Sequence, residues 1–291
     1  MSRSDRGGWS HAPCAPMTPF RTTAKVPEIF RRKGAVGEGE RIVPEETPVA
    51  FTYGGSTHAV MMATPDDLED FAVGFSLTEG IITDAGEIEE VEAVETEIGI
   101  DLQIRLAEDR NDRLAARRRH MAGPVGCGLC GIESIEEAVR PTPDVSASPL
   151  RMSERDIIEA VAGLGSRQPL HMETRAVHGA GFYVPGKGIV AVREDVGRHN
   201  ALDKLAGAAA RAGFGGRDGV VVVTSRVSVE MVQKTAIIGS PVIIAISAPT
   251  ALAIRTAEKA GITLIALARG DEFEIFTHSD RIYPGAASDV A

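Results

Sequence analysis

Residues 220–267 read VVVVTSRVSVEMVQKTAIIGSPVIIAISAPTALAIRTAEKAGITLIAL, and this stretch decides the fold. Three short apolar runs punctuate it, at 220–223, 242–246 and 262–267. None alternates with polar residues, so each reads as a strand buried on both faces, the pattern of parallel strands covered by helices. Between the runs lie two amphipathic stretches, around 230–237 and over 250–260, each long enough for a short helix. Strand, helix, strand, helix, strand in that rhythm implies a three-layer α/β domain.

Working outward, residues 181–184 and 189–192 flank Pro185-Gly186 and predict a hairpin, followed by a helix from about Arg198. Residues 273–277 predict a last strand. Ser153 is placed to cap a helix that turns Ile157, Ile158 and Val161 inward, and 141–149 has loop chemistry. Closer to the N-terminus, 49–53 and 58–62 flank Gly54-Gly55, a second hairpin. Thr64-Pro-Asp-Asp67 has the order of an N-cap, a first-position proline and an acidic first turn. The helix it predicts sets Leu68, Phe71, Ala72 and Phe75 on one face and stops at Gly80. Ile98, Ile100, Leu102, Ile104 and Leu106 recur with a period of two, hence a half-buried strand. The Arg-rich stretch 109–120 predicts an exposed loop or short helix. Residues 1–39 have too little hydrophobicity to bury and predict a disordered tail. The resulting division is a tail over 1–39, a smaller β-rich α+β region over 40–125, and an α/β domain over 126–291.

The net charge of −10 argues against a general nucleic-acid binder, which needs a basic face. The apolar runs are too short to span a bilayer, so no membrane partner is expected. Three cysteines, Cys14, Cys127 and Cys130, are too few for a disulfide framework and favour a reducing compartment, the cytoplasm. The N-terminus has no apolar stretch of the kind found in secretory signals.

Chemistry concentrates in a few places. In Gly126-Cys-Gly-Leu-Cys-Gly131 the glycines leave both sulfurs uncrowded, and the helical-looking stretch after them offers free amides that stabilise a thiolate. Such a thiolate can hold sulfur as a persulfide. A zinc site would need ligands that no second CxxC or His pair supplies, and a dithiol oxidoreductase is the other reading. A polar cluster follows at Arg193-Glu-Asp-Val-Gly-Arg-His-Asn-Ala-Leu-Asp-Lys204, where helical spacing puts His199 with Asp203 and Asn200 with Lys204. It reads equally as a solvated helix start or as an anion site at a strand end. Thr224-Ser-Arg226, Ser247-Ala-Pro-Thr250 and Arg269-Gly-Asp-Glu272 end the other strands, as ligand contacts or as helix caps.

With these segments in view, the chain resembles the FdhD/NarQ family of formate dehydrogenase accessory sulfurtransferases. The resemblance rests on Met62-Ala-Thr-Pro65, Asp70-Phe-Ala-Val-Gly-Phe75, Glu79-Gly-Ile-Ile82, Cys127-Gly-Leu-Cys-Gly131, Glu194-Asp-Val-Gly-Arg-His-Asn200, Glu230-Met-Val-Gln-Lys234 and Ser247-Ala-Pro-Thr250. It implies that Cys127 takes sulfur from a cysteine desulfurase as a persulfide, with Cys130 assisting. The sulfur would pass to the molybdenum of a bis(molybdopterin guanine dinucleotide) cofactor, bound as substrate and required by formate dehydrogenase. Leu267, Ala268, Arg269, Gly270, Asp271 and Glu272 match the family's cofactor-contacting segment, and His199 and Arg226 join them as expected contacts. A homodimer also fits the family. The resemblance extends to the cytidine-deaminase-like fold, whose helix-start cysteines bind zinc. The HxE partner is missing here, so no metal is expected. Arg175 stands where the family leads us to expect glycine, and Glu272 where members often carry a basic residue. The Cys127 loop and the strand ends near His199, Ser225, Ser247 and Arg269 are expected to line one cavity.

Overall fold

The structure is a computed structural model and describes residues 20–107 and 141–284. Its centre is a six-stranded sheet in the order β13-β12-β11-β10-β8-β9. The strands are β8 (His178–Val184), β9 (Gly188–Asp195), β10 (Val220–Val223), β11 (Val242–Ala245), β12 (Thr263–Arg269) and β13 (Glu272–Ile275). Strands β10, β11 and β12 are parallel, while β8 and β13 run against their neighbours.

Because successive strand residues face opposite ways, the four valines of β10 feed two cores. Val221 and Val223 pack with helices α4 (Arg198–Arg211), α5 (Val229–Ile238) and α6 (Ala251–Ala260). Val220 and Val222 pack on the other face with Ile157, Ala160 and Leu164 of α2 (Glu154–Gly165). The result is the three-layer α/β architecture that residues 220–267 predict. The short strand β7 (Met152–Ser153) leads into α2, which Ser153 caps in a reciprocal box with Asp156 as expected, and Thr250 caps α6 through Ala253 N–H, one of the two roles its segment offered. A short helix that the sequence did not signal, α3 (Pro169–Thr174), ends at Arg175 with φ 60°. That is the left-handed region a glycine enters without strain, which gives the departure at 175 a backbone meaning.

The N-terminal region is a four-stranded sheet in the order β4-β3-β6-β5. It comprises β3 (Thr47–Tyr53), β4 (Ser56–Ala63), β5 (Ile88–Glu95) and β6 (Ile100–Leu106). Its inner face packs on helix α1 (Leu68–Thr78), with Phe51 stacked on Phe75 at 4.1 Å and edge-on to Phe71 at 4.9 Å. Ile98, counted as the first residue of its strand, lies outside it and is 86% exposed. The predicted cap at Thr64 is corrected. The helix starts three residues later than that cap implies, with Asp67 at the cap position in the left-handed region at φ 52°, because Thr64 is committed to contacts with Asp195 and Val196.

The tail reading is corrected as well. Residues 23–44 form a hairpin of β1 (Thr23–Arg32) and β2 (Ala35–Pro44). Its turn is Lys33-Gly34, both at positive φ, which matches the twist of a two-residue hairpin. Phe30 lies across Gly37 and Gly39, where a side chain on Gly37 would collide with its ring and one on Gly39 would press on it, and Arg32 sits 4.4 Å over it. Residues 1–19, with Cys14, lie outside the described part, as do the boundary expected at 125/126 and the stretch 109–120.

The two regions meet where α1 crosses α4. A side chain on Gly74 would strike the Asp203 carbonyl, and one on Gly207 the Asp70 carbonyl, so the two backbones touch. This contact sets the end of β4 beside the start of α4 and thereby fixes the surroundings of the site.

Candidate functional site

Strands β9, β10, β11 and β12 all end on one edge of the central sheet, and α4, α5 and α6 begin there. Ligands of α/β sheets bind at this kind of edge. Backbone contacts lace its loops together. Val227 N–H donates to Ala248 O at 3.3 Å, Thr250 N–H to Val227 O at 3.0 Å, and Leu267 N–H to Ser247 O at 3.3 Å. The expected contacts Arg226, Ser247 and Leu267–Glu272 therefore occupy neighbouring strand ends. Ser225 is buried beside them, with its hydroxyl on Arg226 O, while Arg226 and Arg269 are exposed.

Leu267 is the unusual member. It sits at φ 55° inside a β-bulge, with its side chain 37% exposed, and Gly270 follows at φ 60°. A left-handed leucine in an open position costs on the order of 1–3 kcal/mol and persists where its surroundings hold it. Ala268 points into the core, so it supports this segment from below.

At the start of α4 the polar cluster divides. Asp195 is buried and receives Lys204 Nζ at 2.7 Å, Gly197 N–H at 2.7 Å, Asn200 Nδ2 at 2.9 Å and Thr64 N–H at 3.0 Å. Asn200 also donates to Met62 O, and Lys204 to Thr64 O, each at 2.8 Å. Glu194 accepts the first amides of α3, Leu170 N–H and His171 N–H. Asp203 takes Lys234 Nζ at 2.8 Å and Thr78 Oγ1 at 2.6 Å, with Glu79 3.0 Å from the same amine. Burial works against the Lys234 charge, but the Asp203 and Glu79 carboxylates outweigh it and hold its pKa above the ordinary lysine value. These residues clamp the N-terminal region to the α/β domain. Asn200 and Lys204, on one face as their spacing predicts, both reach Asp195 at the end of β9, whereas His199 and Asp203 turn to different partners, Glu230 and Lys234.

Arg198 and His199 are the residues left over. His199 Nε2 is 3.2 Å from Glu230 Oε2, and Ser228 Oγ donates to the same oxygen at 2.8 Å. Burial and the Arg198 guanidinium outweigh Glu230 and push the His199 pKa down to about 4, so the ring is neutral at pH 7. Burial and Arg198 likewise lower His178. The Arg198 Nε is buried without a hydrogen-bond partner among the described residues, while His199 Nε2 has the Glu230 carboxylate beside it. Neither α4 nor α5 has a side-chain cap on its first-turn amides. Glu230, not singled out as a contact in the sequence, is thus part of the site.

Together these features set the guanidinium groups of Arg198, Arg226 and Arg269 and two helix starts along one edge, interspersed with the carboxylates of Glu230, Asp271 and Glu272. The guanidinium and helix-start N–H groups suit an anionic, phosphate-bearing ligand. A hollow of about 400 Å³ lies elsewhere, on the N-terminal sheet around Thr52, Glu90, Glu92, Asp101 and Arg105, and takes no part in this edge. Cys127 and Cys130 lie outside the described residues, and with them the expectation that their loop shares a cavity with the edge. Among the described residues no cluster of three His, Cys, Asp or Glu side chains is arranged to hold a metal ion.

The chain is 66% identical over 258 residues to the sulfur carrier protein FdhD of Agrobacterium fabrum, covering 89% of this chain and 95% of that one. It is 58% identical over 266 residues to the sulfur carrier protein FdhD of Brucella abortus, covering 91% and 99%. A crystal structure from Desulfotalea psychrophila, described as a candidate formate dehydrogenase accessory protein, is similar at a TM-score of 0.69 and 25% identity. That match covers 90% of this chain and 100% of that one. The profile of the FdhD/NarQ family matches residues 44–283, a span that includes every clamp and edge residue named above, and the chain belongs to that family.

Proposed function

We propose that the protein is a sulfur carrier that supplies sulfur to the molybdenum cofactor of formate dehydrogenase. The Cys127 thiolate attacks the outer sulfur of a cysteine desulfurase persulfide. A new S–S bond forms to Cys127, the old one breaks, and the desulfurase cysteine leaves as thiolate. The S–S bond to Cys127 then breaks as the outer sulfur passes to the reduced molybdenum of bis(molybdopterin guanine dinucleotide), the substrate of this step. Cys127 leaves as thiolate, the metal supplies the two electrons that make the sulfur a sulfido ligand, and Cys130 assists.

What supports this reading is the edge that gathers Arg198, Arg226 and Arg269 at the starts of α4 and α5, where Arg198 Nε has no partner among the described residues. The pyrophosphates of the cofactor arms match Arg198, Arg226, Arg269 and the free amides, with Leu267–Glu272 alongside. His199 and Glu230 present a neutral ring and a carboxylate to the rest of the ligand. No described helix is long and apolar enough to cross a membrane, and the reaction belongs in the reducing cytoplasm, with a homodimer as the working unit.

Replacing Cys127 tests the chemistry against cofactor holding alone. With Cys127→Ala, activation of formate dehydrogenase should be lost while cofactor still co-purifies with the protein. Full activation by this variant would leave a binding chaperone. Equal damage from Cys130→Ser, with a Cys127–Cys130 disulfide at rest, would indicate an oxidoreductase instead.

A further inference from the structure

Glu230 is the odd member of the strand-end edge. Arg198, Arg226 and Arg269 suit phosphate oxygens, and a carboxylate held among them repels those same oxygens. Asp271 and Glu272 lie exposed in the turn after β12, whereas Glu230 is half-buried between the starts of α4 and α5. Its carboxylate is also fixed in place. Ser228 Oγ donates to Oε2 at 2.8 Å, and His199 Nε2 lies 3.2 Å from the same oxygen. No arginine or lysine among the described residues pairs with Glu230, and none of those residues bonds to Oε1. That oxygen keeps both lone pairs open.

Two open lone pairs on one oxygen suit two donors that converge on it. Guanine sets a ring N–H and an amine side by side on one edge. Adenine and cytosine set an acceptor beside their amine, and uracil has a single N–H between two carbonyls. A pterin ring carries the same edge as guanine. The two hydroxyls of a ribose, by contrast, stand on adjacent carbons and reach a carboxylate with one oxygen each, and here Oε2 is already taken. We infer that Glu230 reads the amino-lactam edge of the ligand, the N–H and adjacent amine shared by guanine and pterin. The arginines would then select the phosphates and Glu230 the ring. Ser228 and His199 are its positioning residues, since they hold Oε2 and leave Oε1 for the ring. This role rests on the function proposed above and names the group that sets its specificity.

The test is discrimination by the full-length chain, measured by calorimetry with guanosine diphosphate, inosine diphosphate, which lacks only the amine, and pyrophosphate. The unmodified protein should bind the guanosine form about 10- to 100-fold more tightly than the inosine form, the worth of a hydrogen bond to a charged group. Glu230→Met should bring the two within about threefold of each other and leave pyrophosphate affinity unchanged. A merely structural Glu230 would instead weaken all three together. Glu230→Gln keeps the shape without the charge, should narrow the ratio as well, and decides the matter if E230M fails to fold. Biopterin separates the two sources of the edge. If the two diphosphates bind alike but E230M releases biopterin, the pterin is the part that Glu230 reads. A guanosine-to-inosine ratio that E230M leaves unchanged, with biopterin binding untouched, would overturn this role and leave the phosphate edge standing. Binding of none of these probes would overturn the edge and, with it, the proposed function.

Discussion

The two sides of helix α4 are built on opposite terms. On its buried side Asn200, Asp203 and Lys204 are all paired, and their partners come from the end of β9, β4, α1 and α5. At its open end Arg198 keeps a buried Nε without a partner among the described residues, and His199 faces Glu230 at 3.2 Å. Residues of the same polar type, within one turn of each other, thus do different work. The paired ones hold two regions of the molecule in register, and under the proposed function Arg198 and His199 face the ligand. A buried polar atom left unsatisfied costs about 1–3 kcal/mol, which an anion bound at Arg198 would recover under that reading.

Breaking the paired side should give the largest effect. Lys204→Met leaves the Asp195 carboxylate buried without its cation, at an expected loss of about 3–5 kcal/mol in denaturant unfolding. A loss below about 1 kcal/mol would mean that the ion pair does not hold the two regions together. The open side should respond to pH instead. A histidine whose folded pKa lies near 4 against an ordinary 6.5 contributes stability that is present above pH 6.5 and lost as pH falls toward 4. His199→Gln should remove that part of the acid slope, on the order of 1–3 kcal/mol at pH 4, and match the unmodified protein at pH 7.5. An unchanged slope would show that His199 does not titrate as its burial beside Arg198 implies.

The central sheet was legible because each parallel strand is apolar throughout and each helix between strands shows its own period. The hairpin over 23–44 was not, since average hydrophobicity does not register a phenylalanine laid across two glycines. Its one local signal is the Lys33-Gly34 turn. β5 was hidden by its glutamates. The clamp escaped for a different reason: spacing puts Asn200 and Lys204 on one face of α4 but does not show Asp195 as their shared partner, and Asp203 meets Lys234 only through the way α5 sits against α4. Leu267 shows no sign in sequence of its left-handed backbone, because leucine rarely adopts it. Arg198, His199, Arg226 and the 267–272 segment were identifiable as edge residues, since strand ends and helix starts can be read from the pattern. Glu230 was not, as its place depends on how α5 sits against α4.

The account's central claim is that Cys127 carries sulfur, and intact-protein mass spectrometry after incubation with a cysteine desulfurase and cysteine tests it most directly. The account predicts a gain of one sulfur atom that peptide mapping places on Cys127 and that Cys127→Ala abolishes. A protein that gains no sulfur under these conditions, or one whose Cys127→Ala form gains it equally, would contradict the account.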